Sequence, residues 1–130
     1  MTGASTHWAA AYIGRPWDPA EDHCWAFCRL VWRERFGIEV PQMPIHAEDL
    51  RAAVTAFGQA SERNRWQPVS TPAEGDGVLM ARGQRACHVG LWLDLGGVLH
   101  AIAPVSVFTP AGRLRDLGYR VAGYYRRAAA

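Results

Sequence analysis

The chain has 130 residues, of which 49% are hydrophobic, and a formal net charge of +2 at pH 7. This length and composition predict one globular domain over residues 1–130, with a hydrophobic core of its own. The positive charge comes from scattered arginines without a run of like charges, which disfavours a nucleic-acid-binding protein. No segment approaches the roughly 18 apolar residues of a membrane span, so we expect no transmembrane helix.

The N-terminus and the cysteines indicate where the chain is made and in which redox state it works. Residues 1–8 lack the basic start and apolar centre of a signal peptide, so we expect synthesis in the cytoplasm without a signal peptide. The chain has three cysteines, and Cys24 and Cys28 are one helical turn apart. An odd number at this spacing favours reduced thiols over a disulfide framework.

Helices are predicted first along the chain. A short helix over residues 8–13 ends in a loop with glycine and prolines, which leads to a long helix. Asp22 is the predicted N-cap of the long helix and Gly37 its stop. The spacing of its apolar residues places Cys24 on the buried face, at the first turn.

Strands dominate the second half of the chain. Before them, we expect a second helix over residues 47–57 and a polar connector over residues 59–68. The predicted strands cover residues 77–81, 87–93, 98–102, 105–108 and 119–125. Helices followed by an antiparallel sheet predict an α+β fold, in which the N-terminal helices pack on the sheet.

One predicted hairpin decides whether two histidines can cooperate. If residues 94–96 form a three-residue loop, Leu93 pairs with Gly97. His88 and His100 then point from the same face as diagonal neighbours, about 7–8 Å apart at the backbone. An even-numbered loop would place them on opposite faces, because side-chain direction alternates along a strand.

The residues predicted to carry chemistry are Cys24, His88 and His100. Amides and dipole at a helix N-terminus favour negative charge, so a thiol there becomes nucleophilic near neutral pH. In this arrangement His88 takes the thiol proton and His100 orients His88, which is the logic of a catalytic triad. Gly90 has no side chain and leaves room opposite His100.

Several segments form a pattern that runs in order over most of the chain. They are YIGRPW at 12–17, DHCW at 22–25, FGIEVP at 36–41, EGDGVLM at 74–80, HVGLWL at 88–93, LHA at 99–101 and LGYRVAGYY at 117–125. Together these segments resemble the NlpC-type bacterial cell-wall cysteine peptidases, and most closely the short branch found in phage tails and gene transfer agents. The resemblance implies a trimmed papain-like fold and the hydrolysis of peptidoglycan stem peptides, without a metal or another cofactor.

Two tryptophans are assigned to oxyanion and substrate binding. The family usually has a tyrosine in the loop before the nucleophile, and here Trp17 stands at the equivalent position. An indole N–H can donate a hydrogen bond, so the resemblance implies that Trp17 takes over the oxyanion role. Trp25 is expected to line the substrate groove. Many members have aspartate directly before the cysteine, where this chain has His23. Asp22 is therefore one position further from Cys24 than the aspartate of those members.

A metal site is an alternative use of the same residue types. The candidate ligands are Cys24, Cys28, Cys87, His88 and His100. They lack paired Cys-x-x-Cys spacing, and adjacent Cys87 and His88 should face opposite sides of a strand. We therefore expect no metal, and we expect Cys28 and Cys87 to lie in the core.

The predicted function is a peptidoglycan endopeptidase of a phage-like tail or gene transfer agent, which helps DNA to enter. The chain would be incorporated in the tail tip or baseplate and act in the periplasm or cell wall of the target cell. Exposed Trp66 and residues 125–127 would dock on tail proteins, because tryptophan, tyrosine and arginine dominate interface energetics. The alternative is a weakly active or inactive structural component of the tail that retains the peptidase fold.

Overall fold

The fold combines one long helix with an antiparallel sheet. The computed structural model describes residues 7–16, 24–40, 66–83, 85–102 and 105–127. Within these ranges, helix α1 spans Cys24–Phe36, and two 3-10 helices span Trp8–Tyr12 and Ala111–Leu117. The strands are β1 (Trp66–Val69), β2 (Gly77–Arg82), β3 (Arg85–Leu93), β4 (Gly97–Ile102), β5 (Val105–Pro110) and β6 (Arg120–Arg127).

The strands of the described ranges form one sheet in the order β1-β6-β2-β3-β4-β5. Every neighbouring pair is antiparallel. This architecture confirms the predicted α+β class, and the five predicted strands are present with ends that differ by one or two residues. No helix in the described part of the chain is long and apolar enough to cross a membrane.

The predicted polar connector over residues 59–68 is wrong at its end, because its last residues belong to β1. Trp66 is only 3% exposed, and its ring lies 5.1 Å from that of Trp32. Burial of this indole against α1 outweighs the polarity of the neighbouring residues, and β1 then pairs with β6. Trp66 is therefore not the exposed docking residue that the sequence predicted.

Helix α1 forms where its apolar spacing predicts. Cys24, Phe27, Cys28 and Val31 recur at intervals of three and four residues, and all are buried. The helix ends before Gly37, whose φ of 65° is a left-handed conformation that favours glycine. The predicted helix over residues 47–57 and the predicted N-cap lie outside the described residues.

The hairpin between β3 and β4 has the predicted three-residue loop. Leu93 pairs with Gly97, and the Gly96 N–H donates to the Leu93 carbonyl over 2.9 Å. Gly96 has a φ of 96°, as the loop type requires. This register places the two histidines of the hairpin on one face of the sheet.

The sheet buries side chains on both of its faces. On one face, Val89 and Leu99 pack in the cluster that includes the buried residues of α1. The opposite face carries a second cluster that includes Tyr119. Because side chains alternate along a strand, His88 and His100 lie on the second face, and both contact Tyr119.

Candidate active site

His88 and His100 are in direct contact through their side chains. Nε2 of His88 lies 2.7 Å from Nδ1 of His100, and the ring centroids are 5.0 Å apart at an interplanar angle of 61°. Both side chains are buried, at 5% and 0% exposure. The predicted proximity of the two histidines is confirmed, while their catalytic roles stay predictions.

Gly90 makes room for this contact. A Cβ added at Gly90 would lie 2.4 Å from Cγ1 of Val98 and 3.0 Å from Cβ of His100. The first distance is shorter than real Cβ atoms show, so a side chain at this position would force Val98 or its surroundings to shift. The predicted function of Gly90 in leaving space beside His100 is confirmed.

Thr109 is a third member of this hydrogen-bonded group, and the sequence pattern did not predict it. Its Oγ1 lies 2.9 Å from Nε2 of His100, and its side chain is buried. Thr109 pairs with Val98 in the sheet, while His100 pairs with Val107, so both side chains lie on the same face as diagonal neighbours. Alternation of side chains along β5 would have placed Thr109 beside His100, but the predicted strand ended at residue 108, one residue before Thr109.

The aromatic ring of Tyr119 packs against the face of the His88 ring. The rings of His88 and Tyr119 are stacked, with centroids 4.9 Å apart and an interplanar angle of 11°. The guanidinium of Arg82 lies over the Tyr119 ring, 4.4 Å from its centroid. Nη2 of Arg82 also donates to the Leu117 carbonyl over 3.1 Å, which holds this cation in place.

The surroundings of the two histidines keep both rings neutral near pH 7. Burial lowers the pKa of His88 well below 6.5, and the neighbouring His100 and the Arg82 cation lower it further. Burial lowers the pKa of His100 to about 4. A neutral imidazole has one bare nitrogen, so His88 is in the protonation state that a general base requires.

Cys24 is the first residue of α1, and its sulfur is a thiol, as is that of Cys28. Sγ of Cys28 donates to the carbonyl of Val89 over 3.7 Å, and Val89 directly follows His88 in β3. Cys24 lies one helical turn from that contact, on the same face of α1. The second turn of α1 therefore lies against β3 next to His88, on the face of the sheet opposite to the one that carries the His88 ring.

The two described cysteines differ in their environment. Cys28 has no exposed surface, and burial raises its pKa well above 9.0, with a further increase from the nearby Cys24. A thiol with a raised pKa is unreactive at neutral pH. Cys28 is thus a core residue, as predicted. The side chain of Cys87 lies outside the described part of the chain.

The two tryptophans that were predicted to bind the substrate or the oxyanion, Trp25 and Trp17, have different outcomes. Trp25 has no exposed surface and packs edge-on against Trp32, with 5.8 Å between the ring centroids. The prediction that Trp25 lines a substrate groove is wrong, because its position on α1 points it into the hydrophobic cluster. Trp17 and the residues directly before Cys24 lie outside the described residues, so the oxyanion role of Trp17 stays a prediction.

Two other polar residues have structural roles. Asp76 is buried, accepts two hydrogen bonds from Arg126 and accepts another from the Ala73 N–H, which fixes the turn before β2. His7 accepts the Ala9 N–H at the start of the first 3-10 helix. Across the described ranges, no three His, Cys, Asp or Glu side chains are arranged to hold a metal ion.

Comparison with known proteins identifies the family. No curated protein matches the sequence. The NlpC/P60 family matches residues 11–113, a range that includes α1, both histidines and Thr109. The small α+β layout with its antiparallel sheet is consistent with this family, whose members are generally cysteine peptidases of the bacterial cell wall. Because the match covers most of the chain, the protein belongs to the NlpC/P60 family.

Proposed function

We propose that the protein is a cysteine endopeptidase that hydrolyses stem peptides of peptidoglycan. Cys24 is the nucleophile, His88 the general base and acid, and His100 the residue that orients His88. The observation that carries this proposal is the 2.7 Å contact between Nε2 of His88 and Nδ1 of His100. Membership of a family of cell-wall peptidases supports the substrate class.

The contact between the histidines determines which nitrogen of His88 reacts. Nε2 is engaged with His100, so Nδ1 is the nitrogen that faces the reaction. The backbone pairing of β3 with β4 runs from the Leu93–Gly97 pair to the Leu91–Leu99 pair. Because α1 and the His88 ring lie on opposite faces where these strands pair, we propose that the thiol and the imidazole meet beyond the last pair, at the N-terminal part of β3.

The reaction proceeds in two halves. Sγ of Cys24 attacks the carbonyl carbon of the scissile amide while its proton moves to Nδ1 of His88. The tetrahedral intermediate collapses, the C–N bond breaks, and the His88 imidazolium gives its proton to the leaving amine. Water then attacks the thioester as His88 accepts a proton from it. The C–S bond breaks, His88 returns this proton to Cys24, and the acid product leaves as a carboxylate after its remaining proton passes to solvent.

The oxyanion of the tetrahedral intermediate needs hydrogen-bond donors. Cys24 begins α1, and the dipole of a helix favours negative charge at its N-terminus. The backbone N–H of Cys24 is the proposed first donor to the oxyanion. The indole N–H of Trp17 is the proposed second donor.

The proposed setting is the tail tip or baseplate of a phage-like particle or gene transfer agent. There the enzyme would open the wall of the target cell and help DNA to enter. This part rests on the resemblance of the sequence segments to the tail-associated branch. Residues of β6 such as Tyr125 and Arg127, half-buried along the sheet, are candidates for contact with tail proteins.

The activity is tested by digestion of purified sacculi. Wild-type protein and the Cys28→Ala variant should release the same muropeptides, as read by mass spectrometry, while Cys24→Ala should release none. Thermal melts of all three proteins check that each is folded. Digestion by Cys24→Ala would contradict the assignment of the nucleophile. Failure of the folded wild-type protein to digest sacculi of any stem type would favour the structural tail component.

A further inference from the structure

Both ring nitrogens of His100 are engaged inside the protein. Nδ1 contacts Nε2 of His88 over 2.7 Å, and Nε2 contacts Oγ1 of Thr109 over 2.9 Å. His100 has no exposed surface, and burial lowers its pKa to about 4, so the ring is neutral at pH 7. A neutral imidazole has one N–H, and its position decides the direction of the whole hydrogen-bonded chain.

Two arrangements of the protons satisfy these distances. In the first, Nε2–H of His88 donates to Nδ1 of His100, and Nε2–H of His100 donates to Oγ1 of Thr109. In the second, each bond is reversed, and His88 carries its proton on Nδ1. Only the first arrangement leaves Nδ1 of His88 bare and able to accept the proton of Cys24.

We propose that Thr109 is a positioning residue, whose hydroxyl accepts the Nε2–H of His100 and thereby holds His88 in its base-competent tautomer. This inference rests on the proposed function of His88 as the base. It also applies after proton transfer, because the His88 imidazolium must donate from Nε2. His100 must then accept at Nδ1 and donate from Nε2, and Thr109 provides the acceptor.

The position of Thr109 is fixed by its strand. The backbone of Thr109 pairs with that of Val98. Residue 97, next to Val98, is a glycine, and a Cβ added there would lie only 2.3 Å from the Thr109 carbonyl oxygen. β5 therefore lies close to β4 at this point, and the hydroxyl is held beside His100. The short side chain of Thr109 brings an acceptor oxygen to Nε2 of His100, and its loss would leave a buried N–H without a partner.

Several groups face the histidine pair and bear on its titration. They are Tyr119, which contacts both rings, Arg82, which lies over Tyr119, and Thr109 on the side of β5. Thr109 is uncharged in this group, so its effect is on the location of a proton and not on the local charge. The effect should therefore appear as a change of tautomer.

The test compares Thr109→Val with Thr109→Ser. Valine keeps the β-branched shape but has no acceptor, whereas serine keeps the hydroxyl. Ring nitrogen chemical shifts, measured by 15N NMR at pH 7, should show wild type and Thr109→Ser with His88 protonated on Nε2. Thr109→Val should move His88 toward protonation on Nδ1. Its kcat on muropeptides should fall roughly tenfold to a hundredfold with little change in KM, and Thr109→Ser should restore it.

The two readouts separate this inference from the proposed function. The tautomer measurement needs no substrate, so it stands even if the folded protein does not cut peptidoglycan. Unchanged tautomers in folded Thr109→Val would overturn the role of Thr109, whether or not the enzyme is active. If Thr109→Val does not fold, Thr109→Ala removes the same acceptor and must show the same tautomer change.

Discussion

The ring of Tyr119 stacks on the ring of His88, with centroids 4.9 Å apart and planes 11° from parallel. The cation of Arg82 lies over the same tyrosine ring, 4.4 Å from its centroid. Tyr119 thus separates a positive charge from the proposed base while holding both in place. Burial is the main reason that the pKa of His88 is low and the imidazole neutral, and the Arg82 charge adds to it by disfavouring a second proton on the ring.

Removal of the Arg82 charge should change the pH dependence of the enzyme. Burial is the largest cause of the lowered pKa of His88, and His100 and Arg82 add to it. Activity needs neutral His88, so it is lost as the pH falls through this pKa. Arg82→Gln should raise the pKa and move the acid limb of kcat/KM to higher pH. Arg82→Lys keeps the charge and should move it less; equal shifts in both variants would contradict this explanation.

The two histidines should differ in their contribution to catalysis. His88→Ala removes the base and should lower kcat/KM by the full effect of general acid–base catalysis, on the order of 10²–10⁴. His100→Ala removes only the orienting group, so a measurable part of the activity should remain. Turnover on purified muropeptides measures both variants, and circular dichroism checks their fold. A His88→Ala variant as active as wild type would rule out the proposed mechanism.

Gly90 should be intolerant of a methyl group. In Gly90→Ala the new Cβ would lie 2.4 Å from Cγ1 of Val98 and 3.0 Å from Cβ of His100. Overpacking of this kind lowers the free energy of unfolding by roughly 1–3 kcal/mol. Gly112→Ala is the matched control, because its Cβ would have no neighbour within 4 Å. Thermal melts should show a clear loss of Tm for the first variant and little change for the second.

Acid should destabilise the fold through His100. Its pKa falls from the ordinary 6.5 to about 4 on folding because the ring is buried. Between these values the unfolded chain binds a proton that the folded chain does not, so the free energy of unfolding falls as the pH decreases from 6.5 to 4. The full loss is about 3 kcal/mol. Denaturant melts at pH 7 and pH 4.5 should show a smaller difference for His100→Asn than for wild type.

The sequence predicts much of the sheet because its pattern is local. Alternation of apolar residues defines the strands, and the three-residue loop before Gly97 sets the register that brings His88 and His100 together. α1 is predicted for the same reason, since its apolar residues repeat with helical spacing and Gly37 ends it. Local rules of pairing and turn geometry are sufficient for these features.

The errors come from contacts that are distant in sequence. The polar neighbours of Trp66 predict a connector at this position. In the structure the Trp66 indole is buried against Trp32, and the segment forms strand β1 of the sheet. Trp25 looks suited to a groove beside the nucleophile, but the same helix face that buries Trp32 also buries Trp25. Arg82 and Tyr119 come together only when β2 and β6 pair, which no short pattern indicates.

Alkylation of Cys24 measures the coupling of thiol and imidazole most directly. Iodoacetamide reacts with the thiolate, so at neutral pH Cys24 in the wild-type protein should be labelled well before Cys28, whose pKa is raised by burial. The rate at Cys24, followed by peptide mass spectrometry from pH 5 to 9, should fall in His88→Ala and remain nearly unchanged in His7→Ala. Equal labelling of Cys24 and Cys28 in the folded protein would contradict the assignment of Cys24 as the nucleophile. An alkylation rate at Cys24 that is the same in wild type and His88→Ala would contradict the assignment of His88 as its base.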